Sequence, residues 1–127
     1  MATLTKVLLS ASSEGRSIDI TATAGVGGVL VHTPHSTTTT IDEVWLRAHN
    51  GTTKTLDLVV EWGASATANQ IITTLVPKEG LTDICLGQPL LGQSAGSAAI
   101  RAFVADSTGS ASQSVIGVYG WVNRFEV

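Results

Sequence analysis

The chain has little of what catalysis, nucleic-acid binding or membrane insertion draws on. Its 127 residues include one Cys, one Met and three Pro, and charged residues make up 13% of the sequence, about half of the roughly 25% usual in soluble domains. A lone Cys85 permits no internal disulfide, which fits synthesis in a reducing cytosol. The net charge is −3, and no cluster of Lys or Arg occurs. Nucleic-acid affinity rests on neutralising phosphates with a basic patch, so DNA or RNA is not an expected partner. An anionic membrane surface is disfavoured for the same reason. No apolar run approaches the roughly 18 to 20 residues of a spanning helix. The opening run Val7-Leu8-Leu9 is shorter than the about 7 to 15 residues of a signal-peptide core. No stretch sustains a helical period long enough to support a helix.

What is present is Ser, Thr and Gly among Val, Ile, Leu and Ala, a mixture that suits short strands joined by turns. Turn signals recur at Ser12 to Gly15, Gly25 to Gly28, Pro34 to Ser36, Asn50-Gly51, Gly63 to Asn69, Lys78 to Gly80, Gly92 to Gly96 and Asp106 to Ser114. Between them the β-forming runs predict strands over 4–10, 16–23, 28–33, 40–49, 55–62, 70–77, 82–87, 98–105 and 114–124. In IDEVWLRAHN, Val44, Leu46 and Ala48 share one face while Glu43, Trp45, Arg47 and His49 share the other. In TKTLDLVVEWG, Leu56, Leu58, Val60 and Trp62 alternate with Asp57, Val59 and Glu61. Asn50-Gly51 between these two runs signals a hairpin. Eight or nine short strands at this spacing predict an all-β fold: one domain, residues 1–127, built as an antiparallel β-sandwich of jelly-roll type.

The residue types that could carry chemistry do not converge in the sequence. His32 and His35 lie three apart with Pro34 between them and no Glu or Cys nearby, unlike a zinc-binding helix, and read as exposed loop histidines. Cys85, flanked by Ile84 and Leu86 in a strand, reads as a buried, inert thiol rather than a nucleophile. AGVGGV lacks the lysine and the strand-turn-helix context of a phosphate loop, so it reads as a turn. Asp42 and Glu43 are adjacent and point to opposite sides of a strand; Asp57 and Glu61 read as a solvated outer face. Trp45, Trp62 and Trp121 could stack on sugars, but such residues more often fill a core or an interface. The expectation is a protein that is not an enzyme and has no metal or other cofactor.

The segments DEVWLRAHNGTTKTLDLVVEWG, QIITTLVPKEGLTDICLGQPLLG, AAIRAFVADS and IGVYGWVNRFEV, in this order, resemble small virion structural proteins of tailed bacteriophages. The matching features are EWG at Glu61 to Gly63, the strand ending at Pro77, RAFVA at Arg101 to Ala105 and GWVNR at Gly120 to Arg124, over roughly the last two thirds of the chain. The resemblance implies a non-enzymatic β-sandwich made in the host cytoplasm and carried on the capsid surface. It implies a decoration or cement protein, homotrimeric, whose partner is the major capsid protein. A head-fibre, neck or tail component and a carbohydrate-binding module are the alternative readings. The stretch 115–124 is apolar on both faces, which implies cover on both sides. Interfaces favour aromatic residues with a polar handle, and Tyr119, Trp121, Val122, Phe125 and Trp45 are the candidate subunit or capsid contacts.

Overall fold

The computed structural model describes residues 2–21, 28–64, 67–93, 98–105 and 116–127. Among the described residues nine strands form where the β-branched and leucine runs predict them: β1 (Thr3–Leu8), β2 (Ile18–Ile20), β3 (Val29–His32), β4 (Ile41–Asn50), β5 (Leu56–Trp62), β6 (Gln70–Leu75), β7 (Thr82–Leu91), β8 (Ile100–Ala105) and β9 (Ile116–Glu126). A 3-10 turn, Thr67–Asn69, precedes β6. The predicted ends at residues 22–23 and 114–115, residues 24–27 of the AGVGGV turn, parts of the turns over 63–69 and 92–96, and all of 106–114 lie outside the described residues.

All pairings are antiparallel and make two sheets. One sheet has the order β1-β9-β4-β7, with β2 also pairing β9 beyond β1; the other runs β3-β8-β5-β6. The chain passes repeatedly from one sheet to the other, so sequence neighbours mostly face each other across the core. This interleaving is the jelly-roll order. Between the sheets lie Val44, Leu46 and Ala48 of β4, Leu56, Leu58 and Val60 of β5, Ile100, Ala102 and Val104 of β8, and Ile116, Val118 and Val122 of β9, all buried. The alternation read in β4 and β5 is therefore the inward-outward alternation of a sandwich.

Several expectations are corrected. Asn50-Gly51 does not make a hairpin, because β4 and β5 belong to different sheets. Asn50 instead turns the chain across the sandwich. Its buried amide donates to the carbonyls of Lys54 (2.8 Å) and Leu75 (3.0 Å), and its Oδ1 accepts from the Thr52 backbone N–H (3.0 Å). A side chain that can replace backbone partners in this way holds a corner as readily as a tight turn. The strand predicted to stop at residue 87 continues to Leu91, because Gly87 takes a positive φ of 78° in an irregular stretch and Pro89 sits on an edge strand, where its missing donor costs nothing. Glu61, read as solvated, is 7% exposed.

Candidate functional site: the outer face of the five-stranded sheet

Strand β9 lies between β1 and β4, in the interior of its sheet. Its even-numbered residues Ile116, Val118 and Val122 point into the core. Val122 is completely buried and so is no contact residue, which corrects its place among the candidates. Gly120 completes that row because the strands approach too closely there for a side chain: a Cβ would overlap the Trp45 carbonyl oxygen. The odd-numbered residues Tyr119, Trp121 and Phe125 point the other way, and the register places Trp45 beside Trp121. Four of the five candidates thus share one surface.

Directly opposed residues share a face, so the ladders define rows across the sheet. One row is Leu8, Trp121, Trp45 and Leu86; another, four residues along, is Leu4, Phe125, Ile41 and Leu91. Sequence reasoning missed Leu4, Leu8, Ile41, Leu86 and Leu91, which are 40% to 61% exposed. Their alternation was visible, but not which side of each strand would face water. Between the rows run Lys6, Asn123, Glu43 and Pro89, and beyond the tryptophans lie Tyr119, Arg47 and Asp83. Three strand spacings span about 14 Å and four residues about 13 Å. With side-chain reach the patch covers on the order of 400 Å², well within the size range of functional patches on monomers and about half of the ~800 Å² that each partner contributes to a standard interface.

The two tryptophans are stacked, with ring centroids 5.5 Å apart and planes 2° from parallel. Lys6 Nζ lies 5.2 Å from the Trp121 centroid, and Gly87 lies against the Trp45 indole, where an added Cβ would come within 3.1 Å of the ring. The indoles therefore use their faces on each other and on this chain, and do not lie side by side as a flat platform for a sugar ring. Neither indole N–H has an acceptor among the described residues. Ring contact, rather than hydrogen bonding, holds the pair. Arg47 and Asp83 close one margin as a solvent-exposed ion pair at 3.1 Å, an interaction of small stabilising value.

A second polar cluster lies at the inner side of the same sheet. Asp42 is 1% exposed, as is His32, which corrects the reading of His32 as an exposed loop residue. The Ser10 backbone N–H donates to His32 Nδ1 (3.1 Å), so the ring proton sits on Nε2 and is donated to Asp42 Oδ2 (2.8 Å). Arg124 completes the carboxylate's shell through Nε (2.7 Å) and Nη2 (3.0 Å). Burial alone would raise the Asp42 carboxyl; the hydrogen bonds from His32 and Arg124 outweigh it and hold the pKa down at about 2. Ser10, His32 and Asp42 are the residue types of a nucleophilic triad, but Ser10 meets the imidazole through its backbone, and its hydroxyl accepts from the Thr33 N–H (2.6 Å). That arrangement places no hydroxyl on the ring to be activated. It ties the β1–β2 connection, β3, β4 and β9 together. The sequence carried one signal for it, an Asp on the inward side of β4 beside Val44, Leu46 and Ala48.

His35, by contrast, lies in a loop as read, though it is only partly exposed, and its Nδ1 accepts from the Thr37 N–H (3.0 Å). Cys85 is partly buried, with Sγ donating to the Val44 carbonyl at 3.3 Å. A depression of about 230 Å³ lined by Thr55, Asp57, Thr74 and Ala105 is smaller than the usual ligand pocket. Its one carboxylate already accepts from Thr74 Oγ1 (2.7 Å). Among the described residues no group of three or more His, Cys, Asp or Glu comes together as a metal site. Compared with protein-family models, curated proteins and solved structures, the chain matches none.

Proposed function

We propose that this protein is a non-catalytic structural component of a tailed-phage virion, a decoration or cement protein that sits as a homotrimer on the outside of the head and binds the major capsid protein. The observation that carries the reading is the apolar outer face of the five-stranded sheet, a surface suited to assembly. The sequence resemblance supplies the particle. A rigid sandwich with an apolar, aromatic-centred face supports assembly without needing a reactive group. Aromatic anchors ringed by polar residues are the usual anatomy of an interface, and Trp45 and Trp121 sit at the centre of such a surface.

Mixing the purified protein with empty capsids tests the reading directly. The protein should co-sediment at a fixed ratio to capsid subunits and raise the temperature at which the capsids come apart. Absence of binding to capsids encoded by the same phage genome, with glycan binding on an array instead, would replace this function with a carbohydrate-binding one.

A further inference from the structure

We propose that copies of this chain close around a rotation axis running along β9, with Lys6 of each copy meeting Glu43 of the next. The number of copies, three, rests on the function proposed above; the pairing itself needs only an axis parallel to the strands. Two features of the outer face lead to it. An axis brings identical residues together, so a charged column on it would repel itself. The outward residues of β9 are Gly117, Tyr119, Trp121, Asn123 and Phe125, none of them charged, whereas β1 presents Lys6, β4 presents Glu43 and Arg47, and β7 presents Asp83. β9 is the one column of the four suited to the axis.

The second feature is the placement of the flanking charges. Lys6 is opposite Asn123, and Asn123 is opposite Glu43, so the two charges stand at one height on either side of β9. They are two strand spacings apart, about 10 Å, and neither is in an ion pair among the described residues. Rotation about an axis along β9 preserves height and carries the β1 side of one copy toward the β4 side of the next. Lys6 then faces Glu43 across every junction, and the apolar rows above and below meet apolar rows. Closure by a cyclic axis leaves no unpaired copy of this surface. The patch is about half the size a standard partner contributes and is divided between two neighbours in a closed ring, so the Lys6–Glu43 pairs add to the apolar contact at every junction.

Charge reversal tests the pairing in solution, without capsids, so failure of this inference is separable from failure of the proposed function. Light scattering should give the wild type a mass three times 13.1 kDa. Lys6→Glu and Glu43→Lys should each shift it to the monomer at micromolar concentration, with an unchanged β-rich circular dichroism spectrum. The double variant should restore the wild-type mass. Zero-length carbodiimide coupling of the wild type gives a reading that needs no variant to fold: the Lys6–Glu43 linked peptide should occur in covalent dimer and trimer bands and be missing from the monomer band. A wild-type monomer, single variants that keep the oligomeric mass, or a double variant no better than either single one would overturn the proposal. So would coupled oligomers lacking that peptide.

Discussion

Asp42 shows how one residue can hold several elements. It lies on β4 and bonds His32 at the end of β3 and Arg124 near the end of β9, with Ser10 attached through the imidazole. Removing one member of a buried, hydrogen-bonded charge cluster leaves the others uncompensated, so Asp42→Asn should cost about 2 to 4 kcal/mol at neutral pH in urea unfolding. The carboxyl's folded pKa of about 2 lies below its ordinary 3.8. Its contribution of about 2 kcal/mol is therefore complete above the unfolded value and is lost as pH falls toward 2. The stability gap between wild type and Asp42→Asn should narrow between pH 4 and 2. A constant gap across that window would show that the ionised form is not what stabilises. Cys85 obeys the same logic in the other direction. Burial pushes its thiol up to about 11 from 9.0, against a smaller lowering by backbone groups of Leu46 and Gln88. Two units mean about a hundredfold less thiolate near neutral pH, so labelling by an aromatic disulfide reagent should be slow in the native protein and rapid in urea.

Within the sheets, β4 and β9 set the geometry of the outer face. Their ten-residue ladder runs without a shift from Ile41–Phe125 to Asn50–Ile116, which places Trp45 directly opposite Trp121. The close approach at Gly120 is part of that ladder. A side chain there meets backbone, which cannot rotate aside, so Gly120→Val should cost about 3 kcal/mol, the upper range for overpacking. Gly80 has nothing within 4 Å of an added Cβ, and Gly80→Ala should leave the unfolding midpoint almost unchanged. Equal effects at the two positions would mean that the strand approach at Gly120 relaxes. On the other side of β4, the positive φ of Gly87 lets β7 pass its irregular stretch while keeping Leu86 opposite Trp45.

For the whole molecule, the outer face links fold to assembly. Trp121 lies outside the sandwich core, so Trp121→Asp should remain folded and lose oligomeric mass in light scattering; a folded variant of unchanged mass would place the interface elsewhere. Attachment to the capsid should depend on apolar contact rather than on charge, because the chain carries a net charge of only −3. Salt screens exposed charges over about 8 Å at physiological ionic strength and leaves apolar contact in place. Capsid occupancy should therefore persist as salt is raised. Release with the fold intact would point to an electrostatic dock.

The sequence by itself determined the strands, the fold class and the apolar character of the last strand, since these follow from local properties: β-branched runs, alternation with a period of two, and turn residues between them. It also marked Tyr119, Trp121, Val122, Phe125 and Trp45 as candidate contacts, without showing that four of them share one surface. Only the tertiary structure decided where strands go relative to one another. Asn50-Gly51 carries the same local signal whether the chain folds back as a hairpin or crosses between sheets, and the Asn50 amide bonds that settle the matter reach Leu75, 25 residues away. His32 looked like a loop residue because its partners, Ser10, Asp42 and Arg124, are spread over three other parts of the chain. Val122 was counted among the contacts because alternation gives two faces without saying which is inward, and in β9 both are apolar. That choice depends on which neighbours the strand acquires, and those neighbours come from both ends of the sequence.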